Sequence, residues 1–465
     1  PWFEEARKSR HNPYYNYYHW WPAEKGEPPL RLSYFDEEGN AWMYNKPTDS
    51  YYLHYFSRKQ PDLNWENPEI RQEIFDMMRF WFDKGIDGFR MDSISLIAKD
   101  PSFPLIDSKK YPDIFSFYAK EPRLHLYLHE MNRQVLSKYD CMSVGEGSAV
   151  MVDDVAKFVD PAREELNMLY HFDAARIRNT TLPDNPESGI DYSLIALKKM
   201  FTEWDKAIDK GWPSIYLGNH DQPRMVSRFG SDKDEFRALS AKMLITFLLT
   251  MRGTPYWFAG DEIGMRNIRF DRIEDYNDID TINRYKKAKA EGKDPQAVLD
   301  EQKETGRDNA RTPFQWDRSP EAGFTAGTPW LKVNPDYTWI NVADEEKDPT
   351  SILNYFKKVV SFRKENPSLI YGSYHLLDAE NPQCYIFLRK TGADTYLIML
   401  NFSPKAAIST PGIDMSNAHV LLDNYGDRSH MAPQKDITLR PFEAIVFQLN
   451  HPVYESFIDS LDLLE

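Results

Sequence analysis

The chain has 465 residues, of which 41% are hydrophobic, 14% aromatic and 28% charged, with a net charge of −15. That length exceeds what one compact core serves and predicts two or three globular domains, with enough apolar material to fill them. The acidic balance argues against a phosphate backbone or an anionic membrane, so neither nucleic acid nor membrane is an expected partner, while a neutral small molecule suits either sign.

Residues 1–59 are rich in Tyr, Trp, Pro and charge with sparse periodicity. They read as an irregular subdomain that would wall one side of a pocket, or else as a plain surface loop region. At 68–84, apolar residues at Ile70, Ile74, Met77, Met78 and Trp81 predict a helical stripe closed by Gly85. Strand candidates follow at 141–146, 166–173, 213–219 and 254–259, with helical segments between them such as 239–251. This alternation predicts a parallel sheet spanning 60–370. The highly charged excursion at 266–303 reads as a solvated helical pair. Beyond about 371 the pattern changes to short apolar runs, CYIFLRK, TYLIMLNFS, HVLLDN and EAIVFQL, divided by turn residues. An antiparallel β domain is expected there. Cys141 and Cys384 are too few and too distant to imply a disulfide framework, and Cys141 reads as strand packing. There is no zinc spacing, no phosphate-binding glycine loop and no apolar run long enough for a bilayer.

Three carboxylates stand at the ends of strand-like segments: Asp92 in GIDGFRMDSI, Glu146 in CMSVGEGSAV and Asp221 in SIYLGNHDQPR. With Arg90 and His220 beside two of them, they are expected to meet at one rim of a parallel barrel. The set suits glycosidic bond cleavage by double displacement. Asp92 would attack, and Arg90, on the same side by period-two alternation, would hold it ionised and oriented. Glu146 lies among Met142, Val144, Ala149 and Val150, where desolvation favours the protonated form a general acid needs. Asp221 and His220 would grip sugar hydroxyls. A lone Arg-x-Asp pair is more often an ordinary ion pair.

Several short motifs occur in order: QPDLN at 60–64, GFRMD at 88–92, VGEG at 144–147, NHDQPR at 219–224, GDEIGM at 260–265 and RDNARTPFQW at 307–316. In these the chain resembles the alpha-amylase superfamily, glycoside hydrolase family 13, and within it the oligo-1,6-glucosidase and alpha-glucosidase group. The resemblance implies an α/β fold: a (β/α)8 TIM barrel with a small inserted subdomain and a C-terminal antiparallel β-sandwich. Residues 1–59 would be part of the subdomain, 60–370 barrel strands four to eight, and 371–465 the sandwich, where His375, His419 and His430 are expected to be structural or surface groups. The opening PWFEEARKSRHNPYYNYY resembles the interior of the inserted subdomain. The first three strand–helix units, and the family's calcium site with them, are therefore expected outside this chain. No cofactor or metal is expected within it, and a separate N-terminal segment completing the barrel is an implied partner.

By the same resemblance, Arg307, rather than Arg311, would lie near the nonreducing glucose. Phe314, Trp316 and Trp330 read as core rather than as sugar platforms, and Glu262 as a structural position. The residue after the nucleophile resembles a linkage selector, Val accompanying alpha-1,6 action and Ala or Thr alpha-1,4. Ser93 matches neither and is nearer the second set. Gly147 and Ser148 lack the bulk many alpha-1,6 enzymes carry and are expected to widen the adjoining subsite.

The function expected is that of a retaining, exo-acting alpha-glucosidase, a glycoside hydrolase acting on terminal alpha-1,4 and/or alpha-1,6 bonds of short oligosaccharides, in the cytoplasm. A sucrose isomerase or transglucosidase is the first alternative. It is disfavoured because the isomerases' Arg-Leu-Asp-Arg-Asp motif is replaced by Ala174, Ala175, Arg176, Ile177 and Arg178. A catalytically silent binding protein of the same fold is the second alternative, and the three retained carboxylates speak against it.

Overall fold

A computed structural model describes residues 1–35, 39–107, 109–110, 114–392, 394–413, 415, 418–428 and 435–449. His430 lies outside the described residues. The chain forms two compact units, one of Pro1–Phe172, Ala207–Trp212 and Ile282–Lys293, the other of Asp173–Lys206, Pro213–Thr281 and Asp294–Glu465.

In the first unit, β1 (Trp20–Pro22), β2 (Trp42–Asn45) and β3 (Ser50–Leu53) form an antiparallel sheet in the order β1-β3-β2. Trp42, Leu53, Tyr55, Leu96, Phe103 and Tyr118 cluster against it. The helix Pro68–Phe82 follows. Asn67 caps it by accepting the Glu69 N–H at 2.9 Å, Pro68 supplies a preset first turn, and Gly85 closes it at φ +92°. Its buried residues are Ile70, Phe75, Met78 and Phe82. Met77 and Trp81, expected inside, are 46% and 45% exposed. The helix is apolar around most of its girth, so spacing alone could not choose between two overlapping stripes, and the one containing both Phe75 and Phe82 is buried.

The helix leads into a parallel sheet of β4 (Gly88–Met91), β5 (Met142–Glu146) and β6 (Met168–Tyr170), ordered β4-β5-β6. Glu146 stands opposite Tyr170 in the register. Gly145 and Gly147 are closely approached by buried leucine side chains. A Cβ on Gly145 would come within 2.7 Å of Leu166 Cδ1, and one on Gly147 within 2.3 Å of Leu169 Cδ2. Gly147 therefore serves packing against β6, which corrects the expectation that its missing side chain widens a subsite.

In the second unit, β7 (Ser214–Ile215) and β8 (Thr254–Pro255) pair in parallel. The helix Arg237–Thr250 precedes β8 and is apolar and buried on nearly every side. Two buried arginines satisfy carbonyls around its C-terminal end. Arg363 donates to Leu249 and Met251 at 2.9 and 2.8 Å, and Arg389 to Leu369 at 2.9 Å and to Thr250.

The C-terminal segments form the expected antiparallel strands: β9 (Ser373–Leu377), β10 (Cys384–Thr391), β11 (Asp394–Asn401), β12 (Ala407–Ser409), β13 (His419–Asp423), β14 (Ile437–Leu439) and β15 (Ala444–Leu449). The main sheet runs β13-β15-β11-β10-β9, with β12 and β14 paired separately. Ile386, Leu388, Leu397, Met399, Ile445 and Phe447 make its core. Lys198 fastens the sheet to the helix Leu194–Ala207, donating to the carbonyls of Asp378, Asn381 and Cys384 at 3.0, 2.8 and 3.2 Å. Both cysteines are free. No helix among the described residues is long and apolar enough to cross a membrane.

Candidate active site

In the first unit, alternation along β4 directs Arg90 toward the end of the sheet where Asp92 and Glu146 emerge. Its guanidinium bridges them, Nη1 pairing with Asp92 Oδ1 and Nη2 with Glu146 Oε2 at 3.0 Å. Nε donates to the Tyr170 hydroxyl at 2.8 Å, and the cation lies 5.6 Å from that ring's centroid. One planar fork thus holds both carboxylates together, the close pair on which double displacement depends.

The two carboxylates differ in setting. Asp92 is 74% exposed at its side chain and Glu146 only 9%. Burial raises Glu146 to about 7, reinforced by its contact with Asp92, against the opposing pull of the Ser93 N–H and the Arg90 charge. The expected apolar surround is present in Val144, Ala149 and Val150, whereas Met142, at the other end of β5, is exposed.

Ser93 adopts φ 45°, ψ 34°, a left-handed conformation that L-residues other than Gly, Asn and Asp rarely take. The turn directs its N–H to Glu146 Oε2 at 2.9 Å. Ser95 Oγ then reaches the Ser148 carbonyl at 2.9 Å, tying the loop after β4 to the loop after β5.

The second unit holds a cluster centred on Asp221. His220 Nε2 lies 3.1 Å from Asp221 Oδ2, while Arg307 Nη1 and Arg311 Nη2 lie 3.2 and 2.6 Å from Oδ1. Burial alone would raise this carboxyl, but the hydrogen bond and charge of His220, together with Arg307 and Arg311, bring it down to about 2. Arg307 also pairs with Asp278, whose side chain is almost wholly buried and accepts from Thr281 N and Oγ1 at 3.1 and 2.9 Å. Arg311 Nε donates to the His220 carbonyl at 2.7 Å.

Arg90, Asp92, Ser93 and Glu146 are thus brought together in the first unit, and His220, Asp221 and Arg307 in the second. Sequence reasoning missed Tyr170, although its place at the end of a strand candidate was a usable signal. It set Arg307 above Arg311, yet both hold Asp221. It also passed over Asp278. Two helices, Ile279–Ala290 and Pro295–Thr305, occupy the charged excursion, but the side chain of Asp278, just before the first, is buried rather than part of a solvated face. Trp316 and Trp330 are 50% and 59% exposed, so the core reading fails for both. Phe314 packs beside Ile263, Met265 and Ile340 as expected. Glu262 keeps a structural role, accepting the Gly260 N–H at 2.8 Å.

The model of the alpha amylase catalytic domain matches residues 1–372. An oligo-1,6-glucosidase of Parageobacillus thermoglucosidasius is 47% identical over 463 residues, covering 97% of this chain and 81% of that protein. An oligo-1,6-glucosidase of Bacillus cereus is 44% identical over 458 residues, covering 96% and 80%. Among solved structures, a trehalulose synthase matches with a TM-score of 0.89 at 37% identity, covering 96% of this chain and 80% of that one. The isomaltulose synthase SmuA from Protaminobacter rubrum also gives 0.89 at 37%, covering 97% and 80%.

Proposed function

The chain belongs to the alpha-amylase family, with its TIM-barrel fold and C-terminal antiparallel sheet, and is a glycoside hydrolase that cleaves alpha-glucosidic bonds; we propose that it works from the nonreducing end with retention of configuration. The observation that carries this reading is the guanidinium of Arg90 bridging an exposed Asp92 and a buried Glu146.

Glu146, held neutral by burial, donates its proton to the glycosidic oxygen as the bond to the anomeric carbon breaks, and Asp92 attacks that carbon to form a covalent glucosyl ester. Departure of the aglycone leaves Glu146 ionised. It then takes a proton from water, whose oxygen attacks the anomeric carbon and releases Asp92, restoring both groups. Arg90 stays charged throughout, orienting Asp92 and stabilising Glu146 in its anionic phase. Asp221, with His220 and Arg307, binds sugar hydroxyls as an anion, and Ser93 tunes the linkage accepted, with alpha-1,4 favoured over alpha-1,6 by its small polar side chain.

Three further strand–helix units beside β4 complete the barrel in this reading. Its supports are the outer edge of β4, unpaired among the described residues, and the exposed Met77, Phe80 and Trp81 on the preceding helix. It predicts that these three side chains resist solvent labelling in the active enzyme; labelling at the rate of free residues would count against it. For the calcium site the resemblance implies, no group of three or more His, Cys, Asp or Glu side chains is placed to hold a metal among the described residues. A cytoplasmic location is supported by the two free thiols.

The test is hydrolysis of maltose, isomaltose, sucrose and trehalose, with the anomer of the first glucose released followed by NMR. Alpha-glucose from the first two supports the reading, beta-glucose refutes retention, and isomerised sucrose as the main product favours the isomerase alternative suggested by the structural neighbours.

A further inference from the structure

Trp330 exposes more than half of a side chain that ordinarily seeks the interior. It is nonetheless firmly held. Its indole Nε1 donates to the carbonyl of Arg311 at 2.8 Å, its own carbonyl accepts from Asn277 Nδ2, and Phe324 meets its ring edge-on with centroids 5.0 Å apart. The one polar atom of the side chain is therefore spent inward, and what faces outward is a fixed apolar ring.

The anchor points are not arbitrary. Arg311, which receives the indole, is the residue whose guanidinium holds Asp221 and the His220 carbonyl. Asn277 directly precedes Asp278, the partner of Arg307. Trp330 is tied on two sides to the cluster that binds sugar hydroxyls in the reading above. Trp316, also exposed, packs on Phe314 and is held by its backbone to Ala322 instead.

We propose that Trp330, backed by Phe324, is the platform of an outer sugar subsite, stacking on the C–H face of the third glucosyl residue counted from the one held at Asp221. The ligand class is an oligosaccharide of three or more glucose units. A glucose ring presents an apolar face of axial C–H groups to the electron-rich face of an indole, a match that demands no hydrogen bond and tolerates either linkage. Because the ring is already fixed, little side-chain freedom is lost on binding.

This inference rests on the glucosidase reading, and the experiment separates the two. The full chain and its Trp330→Ala and Trp330→Phe variants are assayed on maltose and maltotriose, and on isomaltose and isomaltotriose. The trisaccharide-to-disaccharide ratio of kcat/KM should fall about tenfold in Trp330→Ala, equivalent to ~1.4 kcal/mol. The loss should lie chiefly in KM, with Trp330→Phe recovering most of the ratio because an aromatic face remains. In the unsubstituted enzyme, maltotriose but not glucose should protect Trp330 from oxidation by N-bromosuccinimide, read by peptide mass, a result independent of whether the Ala variant folds. An unchanged ratio, an equal loss on both sugar lengths, a Phe variant as impaired as Ala, or unprotected Trp330 would each overturn the platform while leaving the glucosidase reading intact. Failure of the unsubstituted enzyme to cleave any of the four sugars would overturn both.

Discussion

Replacing Glu146 by Gln should stabilise the fold at alkaline pH while removing turnover of natural sugars. In the folded chain burial holds this carboxyl at about 7 against 4.5 for an ordinary glutamate, so the fold favours its neutral form. At about 1.4 kcal/mol per tenfold change in proton affinity, that gap amounts to roughly 3 kcal/mol. The Arg90 charge and the Ser93 N–H offset part of that cost, so it comes to ~1–2 kcal/mol. The sign follows from proton counting. Between pH 4.5 and 7 the folded state holds a proton the unfolded chain has lost, so stability falls as pH rises through that window, and the full cost persists above it. Gln cannot ionise, and its side-chain oxygen still accepts the Ser93 N–H. Urea unfolding of both proteins at pH 4.5 and 8 measures the effect. The variant should gain ~1–2 kcal/mol relative to wild type on moving from the lower to the higher pH. A difference independent of pH, or one favouring wild type at pH 8, would show that Glu146 ionises in the fold at no cost, and the acid assignment would lose its physical basis. In parallel, turnover of maltose should drop by about 10²–10⁴-fold while an aryl glucoside with a good leaving group is largely spared, since it needs little protonation.

Other expectations follow from the same geometry. For the wild type, kcat/KM should decline as pH rises through about 7, where Glu146 loses its proton; activity flat to pH 9 would be inconsistent with that acid. Asp221, at about 2, stays ionised over the working range, so Asp221→Asn should cost about 10²-fold in kcat/KM by weakening charge-assisted hydrogen bonds without moving the alkaline limb, and a displaced limb would argue against a binding role. Ser93→Val places a β-branched residue at φ 45° and should lower stability by ~1–2 kcal/mol and reduce kcat by loosening the N–H that holds Glu146, whereas Ser93→Gly should be tolerated; a melting temperature higher for Val than for Gly would contradict this. Lys198→Met strips a donor from three carbonyls and should cost about 3 kcal/mol in denaturant unfolding; a loss under ~1 kcal/mol would mean those carbonyls are satisfied without it.

What could be read from the sequence was set by local rules. Period-two alternation places Arg90 and Asp92 on one side of a strand, and a run of small apolar residues around Glu146 announces desolvation. Strand–helix alternation announces parallel pairing, and turn residues spaced a few positions apart announce antiparallel strands after Tyr371. What could not be read depends on tertiary choice. The left-handed backbone at Ser93 aims its N–H at Glu146, and nothing in its side chain signals it. The glycine at 147 looks like an open subsite until Leu169 is seen beneath it. The helix Pro68–Phe82 carries so many apolar residues that two stripes compete. Asp278 sits in a charged run that reads as solvated, and only the convergence of Arg307 and Arg311 turns it inward. Trp316 and Trp330 read as core, yet for Trp330 one hydrogen bond from the indole to the Arg311 carbonyl holds the ring at the surface.

A covalent bond between sugar and Asp92 is the central chemical step. Incubating the enzyme with a 5-fluoro-alpha-glucosyl fluoride, which slows release of the ester, and mapping the adduct by peptide mass spectrometry tests it directly. One glucosyl unit should be found on the peptide containing Asp92 and be lost in Asp92→Asn. An adduct on another carboxylate, or beta-glucose as first product with no adduct at all, would contradict it.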